Sequence, residues 1–444
     1  MPTATVVTHP FHSLFQVATR SLGQEGLPAV YVAHPIVSVE PAAMRERASN
    51  ALAEITRAVV GDGVRLNGTT SHQTQPSESP SVPETLRVSD HLEDILDRFE
   101  AEEWTDGLPI VPPTRERVAR MLAYCDLEPS ASLGLVPPRW SHATVTKLAV
   151  NAVMAGCRPE HFPVVLAAVR SMLERQFNLY GVQGTTNPAS PIVVASGPIA
   201  RELGINAGGN LFGPASRASA TIGRAIRLIL TSIGGGVPQR ADKSTLGNPA
   251  KYTCCFAENE AACPWPPLQV EQGFGTDTSS VLLFAGAAPT NIIDKSRTVD
   301  EMLETIAGVM VSPGSNNLFM SQQILVVLCP DHAAIAAAAG LDRAAVSREL
   351  FQRARVDLDQ LTSANADVVR SWRRGYIDHA DGRQLLRIVE RPEDILVVVA
   401  GGPGNHSAVI AGWHSRAVAQ PVARANGALV RSVNEFRTEA SICV

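Results

Sequence analysis

The chain has 444 residues, of which 45% are hydrophobic and only 18% charged, enough length at about 100–200 residues per domain for two or three domains with substantial cores. Its 38 Lys and Arg against 43 Asp and Glu leave a net charge of -5, and no basic stretch interleaved with aromatics occurs, so nucleic acid is excluded as the main partner. The longest apolar runs, at 395–400, 324–329 and 335–339, are far shorter than the roughly 20 residues of a membrane-spanning helix.

In chain order, residues 3–8 form a β-branched strand, and 11–22 carry helical spacing. A second strand over 29–33 and a helix over 41–60 follow, with Pro41 suited to a first-turn position. Two such strands joined by a helix predict a parallel pair, which is half of a doubly wound domain (1–61). Residues 62–85 are rich in Gly, Ser, Thr, Gln and Pro and read as a flexible linker. From 86 to 444 the chain reads as one large α/β region, a mixed or parallel sheet flanked by helices. Helices are expected at 90–102, 115–123, 142–154, 163–173, 216–230, 299–309 and 343–354, and strands at 192–195, 281–284, 324–329 and 395–400. Three of these strands end in small residues and proline: Ala195-Ser196-Gly197-Pro198, Cys329-Pro330 and Ala400-Gly401-Gly402-Pro403. Open α/β sheets place ligands at such ends, and the likeness hints at a weak internal repeat with unequal spacings. Residues 1–5 lack the basic-then-apolar order of a secretory signal. Seven cysteines in so long a chain do not make a disulfide framework, so the expected setting is the cytoplasm.

The segment Trp104-Thr105-Asp106-Gly107-Leu108-Pro109-Ile110-Val111-Pro112-Pro113-Thr114 resembles the opening of the long C-terminal region of UGSC-type bacterial proteins. The run from Ala143 to Cys157 and that from Thr185 to Ala225 are similar to the same family, so the resemblance covers most of 86–444. The first sixty residues resemble the second half of the family's motif-bearing domain. The Cys-Gly-Ser-Cys motif itself does not occur here. The chain starts where the first half of that domain should already have ended. The resemblance therefore implies that a separate small subunit supplies the motif, or that it has been lost. The open edge of a two-stranded sheet independently calls for a neighbour, and a homo- or hetero-oligomer is expected.

Three constellations can carry chemistry. Cys255, followed by Glu258 and Glu260, places a thiol beside carboxylates able to move protons; the family-like pattern favours this cysteine, while the plainer reading is a buried strand. The run Asn206, Gly208, Gly209 and Asn210 leads into a helix bearing Arg217 and Arg224 seven apart, a backbone cradle and clamp for an anion. Gly401 and Gly402 lead to His406, a possible general base. Thr185, Thr186 and Asn187 form a smaller polar set before the 192–195 strand. No metal-ligand spacing and no cofactor motif is present. The expected function is an enzyme subunit acting on a small anionic molecule by thiol-dependent chemistry, redox or thiol addition. The alternatives are a thiol-independent hydrolase or lyase using Glu258, Glu260 and His406, or a non-catalytic scaffold subunit.

Overall fold

The structure, a computed structural model, describes residues 3–36, 39–60 and 85–437; the stretch read as a linker lies outside them except for residue 85. Strands β1 (Thr5–Thr8) and β2 (Ala29–Val32) pair in parallel, with Val6 opposite Val30. The helix His12–Ser21 connects them, and the helix Pro41–Val60 follows. This small unit rests on the rest of the chain through Leu14, whose side chain occupies the space a Cβ on Gly184 would fill. Ser13 Oγ also donates to the Arg240 carbonyl at 2.6 Å and accepts from Lys243 Nζ at 3.0 Å.

The larger body is mixed α/β. A hairpin of β3 (Ser132–Val136) and β4 (Ser141–Thr144) precedes it. The sequence reading ran a helix through 142–144. The structure instead ends β4 at Thr144, whose hydroxyl caps the helix Val145–Ala155 by accepting from the Lys147 N–H, the usual role of a β-branched hydroxyl residue at a helix start. The remaining strands are β5 (Ser190–Ser196), β6 (Cys255–Ala257), β7 (Ser280–Gly286), β8 (Thr290–Ile293), β9 (Ile324–Leu328), β10 (Arg355–Asp357), β11 (Ile377–Ala380), β12 (Arg383–Arg387), β13 (Ile395–Val399), β14 (His406–Ala411) and β15 (Val418–Pro421). They make two four-stranded mixed sheets, ordered β15-β7-β5-β6 and β8-β14-β9-β13, and a small antiparallel sheet of β10, β12 and β11.

The two large sheets pack face to face. Ile192, Val194, Phe256, Leu282 and Phe284 of the first meet Leu325, Val327, Val398, Ala408 and Ile410 of the second in a common core. The alternate residues of each strand point outward to a helical layer. Val193, Ala195, Val281 and Leu283 face the helices Val145–Ala155, Phe162–Leu173 and Arg217–Ser232. Ile324, Val326, Val397 and Val409 face the helices Val299–Met310 and Arg343–Arg353. The order of layers is helix, sheet, sheet, helix, with apolar side chains filling all three interlayer spaces at about 1.5–3 kcal/mol for each large one buried. Ser216, Thr298 and Asp342 cap three of these helices with side-chain oxygens.

The sheets repeat one plan. β5 and β9 each have a parallel neighbour on one side, β6 or β13, and an antiparallel neighbour on the other, β7 or β14. The registers superimpose: Val193 pairs with Cys255 and Leu283, and Val326 pairs with Val397 and Val409. The outer strands are exchanged, because β7 is followed by β8 of the second sheet and β14 by β15 of the first. At the crossing, the equivalent glycines Gly286 and Gly412 bridge each other antiparallel, as a local two-fold axis requires. A Cβ on Gly286 would meet Ile410 at 2.7 Å, and one on Gly412 would meet Phe284 at 3.2 Å, again equivalent residues. The likeness between the segments at Ala195 and Cys329 thus marks a true structural repeat. The third segment, at Ala400, ends β13, the counterpart of β6, so it is not a third copy.

Candidate functional site

A cavity of about 950 Å³ opens at the carboxyl ends of β9 and β13, where α/β sheets commonly hold ligands. Val327 and Ala408 form its base, and the loop 400–404 and the start of β14 form one wall. The opposite wall comes from the first half, from the 209–214 loop and the segment 249–255. The two glycine loops cross closely: a Cβ on Gly402 would lie 3.0 Å from Gly209 Cα, so side chains are barred there by backbone contact. The Gly401 N–H donates to the Ala207 carbonyl at 2.8 Å, and Asn259 Nδ2 donates to the Gly401 carbonyl at 3.2 Å. Among the described residues no Lys, Arg, Asp or Glu lines this cavity. Its polar groups include His406, whose Nδ1 lies 3.2 Å from Asn291 Oδ1, and the hydroxyls of Ser407, Tyr252 and Thr253.

The structure brings some of the expected residues here and sends others elsewhere. Cys255, Gly209, Asn210, Gly401, Gly402 and His406 line the cavity. Asn206 supports the loop from below, accepting from Gly208 N–H and donating to the Gly209 and Asn210 carbonyls. The two arginines form no clamp. Arg217 Nε donates to the Gly156 carbonyl, and Arg224 holds Asp106 in a two-bond ion pair at 2.8 Å. Burial alone would raise the Asp106 carboxyl, but Arg224 carries it below its ordinary range. Thr185, Thr186 and Asn187 also lie outside the lining, with Asn187 exchanging amide hydrogen bonds with Asn316. Glu258 is buried under Arg343, accepting from its Nη2 at 2.9 Å and from the Leu268 N–H at 2.6 Å. Glu260 binds the Gly197 N–H and Arg201. Neither carboxylate lines the cavity. Cys255 does, but burial pushes its thiol well above the ordinary value, reinforced by Cys254 and Cys157. Cys254 is pushed up to about 12 by burial.

A different thiol, 2% exposed, has a histidine one helical turn away. Cys329 closes β9 and is the N-cap residue of the helix Pro330–Ala338. Its backbone N–H donates to Ser407 Oγ at 3.1 Å, and its Sγ donates to the Gly404 carbonyl at 3.0 Å. Ser407 and Gly404 both line the cavity, so the thiol lies directly behind its wall. One helical turn on, His332 Nδ1 sits 2.7 Å from Ser407 Oγ. The buried His332 Nε2 has no hydrogen-bond partner and lies 4.0 Å from Asp294 Oδ2. Asp294 is held by the N–H and hydroxyl of Ser296. Burial opposes ionisation at both centres, yet the neighbours prevail. His332, with Ser407, carries the Cys329 thiol below its ordinary 9.0. Cys329 and Asp294 in turn raise His332 above its ordinary 6.5. The helix N-terminus adds positive potential at the sulfur. Cys125, Cys157, Cys254, Cys255 and Cys263 are shifted the other way. The sequence signal for this set was Cys329-Pro330-Asp331-His332 directly after an apolar strand; Asp294 and Ser407 are brought in by distant strands. Among the described residues no group of three or more His, Cys, Asp and Glu is arranged to hold a metal.

The fold and site together define a four-layer α/β protein with Cys329 and His332 gathered about Ser407 at a strand end. The UGSC family model matches residues 1–61, so the N-terminal β-α unit is similar to that family, as its sequence indicated. The match covers the small unit and not the two-sheet body that holds the cavity. No curated protein and no solved structure matches the chain. Among the described residues no helix is long and apolar enough to cross a membrane.

Proposed function

We propose that the chain is an enzyme of thiol-dependent chemistry acting on a small, largely uncharged molecule bound in the cavity at the ends of β9 and β13. The observation that carries this reading is Cys329, set at a helix N-terminus behind the cavity wall with His332 and Asp294 in line. The thiol adds to the electrophilic carbon of a polarised double bond: the S–C bond forms as the π pair moves to the far atom, and the thiol proton passes to His332. His332 then gives that proton to the far atom, completing the adduct, and Asp294 favours the imidazolium between these steps. Backbone groups of the two glycine loops and the His406–Asn291 pair orient the bound molecule. An anionic substrate has less support than the sequence expected, because Arg217 and Arg224 are committed to other partners. The acid-base alternative is likewise weakened by the fixed bonds of Glu258 and Glu260. This reading needs no thiol from a partner subunit.

Peptide mapping after brief treatment with iodoacetamide at neutral pH tests it. Cys329 is expected to be modified ahead of Cys125, Cys254, Cys255 and Cys263, and a neutral electrophile that occupies the cavity should protect it. Reaction of Cys329 no faster than that of Cys125, which is half-buried and free, would remove the basis for the proposal.

A further inference from the structure

A second cavity, of about 400 Å³, lies on the second half of the body. Phe319, Trp372 and Tyr376 give it aromatic walls, and Gln322, His414 and Arg373 supply its polar groups. Arg373 follows the helix Ser363–Trp372 and is buried, with 5% of its surface exposed. Its Nη1 donates to the Ser321 carbonyl at 2.9 Å and its Nη2 to the Ile388 carbonyl at 2.7 Å. The guanidinium lies 3.9 Å from the Tyr376 ring centroid. Its Nε has no hydrogen-bond partner, and among the described residues no carboxylate pairs with it. The neighbouring Arg387, 6.0 Å from the same ring, already has Asp378 as its counter-ion. His414 adds no negative charge and is itself held below its ordinary protonation range by burial and by Arg373.

A buried guanidinium with a free N–H and no counter-ion is electrostatically incomplete. Most buried cations in this chain are not left so: Arg343 has Glu258 and Glu271, Arg224 has Asp106, and Lys251 has Asp242. We propose that this cavity is a binding site for a small carboxylate with a flat apolar body, its carboxylate pairing with the Arg373 guanidinium and its body resting between Trp372, Tyr376 and Phe319. The charge sets the demand for an anion, and the aromatic walls set the demand for a planar apolar remainder. The site is separate from the cavity beside Cys329, so the two proposals stand or fall independently.

Benzoate and its uncharged analogue benzamide are the probes, read by intrinsic tryptophan fluorescence and by thermal shift on the full chain. Benzoate is expected to bind saturably and at least tenfold more tightly than benzamide. The fluorescence response should vanish in Trp372→Phe while the thermal shift persists. Arg373→Met should abolish binding, but that side chain also ties two carbonyls, so the variant can fail to fold. Gln322→Glu therefore provides the decisive arm. It installs an internal carboxylate in the cavity and is expected to raise thermal stability while weakening benzoate at least tenfold. Equal affinity for benzoate and benzamide, absence of saturable binding, or benzoate binding unchanged in Gln322→Glu would each overturn the proposal.

Discussion

At the carboxyl end of β5 stands Ser196; at the matching position of β9 stands Cys329. The strands around them share order and register, yet their surroundings diverge. Ser196 Oγ pairs with Ser280 Oγ at 3.0 Å, and Ser280 donates to Gln272 Oε1. Glu260 caps the Gly197 N–H, and the segment after β6 folds over this end, pinned by Glu258 to Arg343 from the other half. Around Cys329 the equivalent segment after β13 is the glycine loop 400–404, which holds no such side chains and leaves the cavity open. A repeated scaffold therefore carries one closed end and one open end where Cys329 and His332 meet at Ser407. Function in such a fold follows the loop residues more than the strand plan.

The comparison breaks most visibly at the thiol. His332→Gln should slow alkylation of Cys329 at neutral pH by about 100-fold, the usual contribution of a positioned base. In the unmodified chain the rate should hold up below pH 9.0, because the folded thiol ionises below its ordinary value, and fall only as the thiolate takes up its proton. In His332→Gln, where burial is no longer opposed, the midpoint should move upward. A pH series of alkylation rates measures both.

The closed end is tested next. Glu258→Gln leaves the Arg343 guanidinium, 4% exposed, without its innermost counter-ion, and removing one partner of a buried pair costs about 3–5 kcal/mol. Urea melts should show that loss, and a change under about 1 kcal/mol would mean the halves are not locked there. At the two-fold crossing, Gly412→Ala places a Cβ 2.1 Å from the Gln323 carbonyl oxygen, a backbone clash expected to cost about 1–3 kcal/mol. Gly286→Ala meets only the Ile410 and Phe284 side chains, at 2.7 Å, and should cost less. Equal losses would contradict the account of the crossing. The smallest effect is expected from Ser196→Cys, which copies the residue type of Cys329 onto the closed end. It should cost about 1 kcal/mol for the lost hydrogen bond and give a thiol that iodoacetamide leaves untouched while Cys329 reacts.

Much of the fold was legible because its signals are local. The parallel pair at 3–8 and 29–33, the helices at 216–230 and 299–309, and the apolar strands at 192, 281, 324 and 395 were each readable within a dozen residues. The glycine loops at 208–210 and 401–402 were also recognisable as a site, and they do meet. The short strands β8, β14 and β15 were not, since their pairing comes from partners far along the chain. Cys255 drew attention through its neighbours in sequence and does line the cavity, but burial beside Cys254 and Cys157 pushes its thiol up. Arg217 and Arg224 share a helix face as their spacing required, and that face met Asp106 and the Gly156 carbonyl.

The sequence by itself determined the α/β class and the position of the glycine loops that meet at the cavity, because composition and hydrophobic periodicity act within single elements. Tertiary structure alone decided that the body is a two-fold repeat with exchanged outer strands. It also decided that Cys329 has His332, Ser407 and Asp294 about it, and that Arg373 has no carboxylate among the described residues. Those outcomes depend on which distant strands share a register, and burial there makes each charge and hydrogen bond count far more than it does in water.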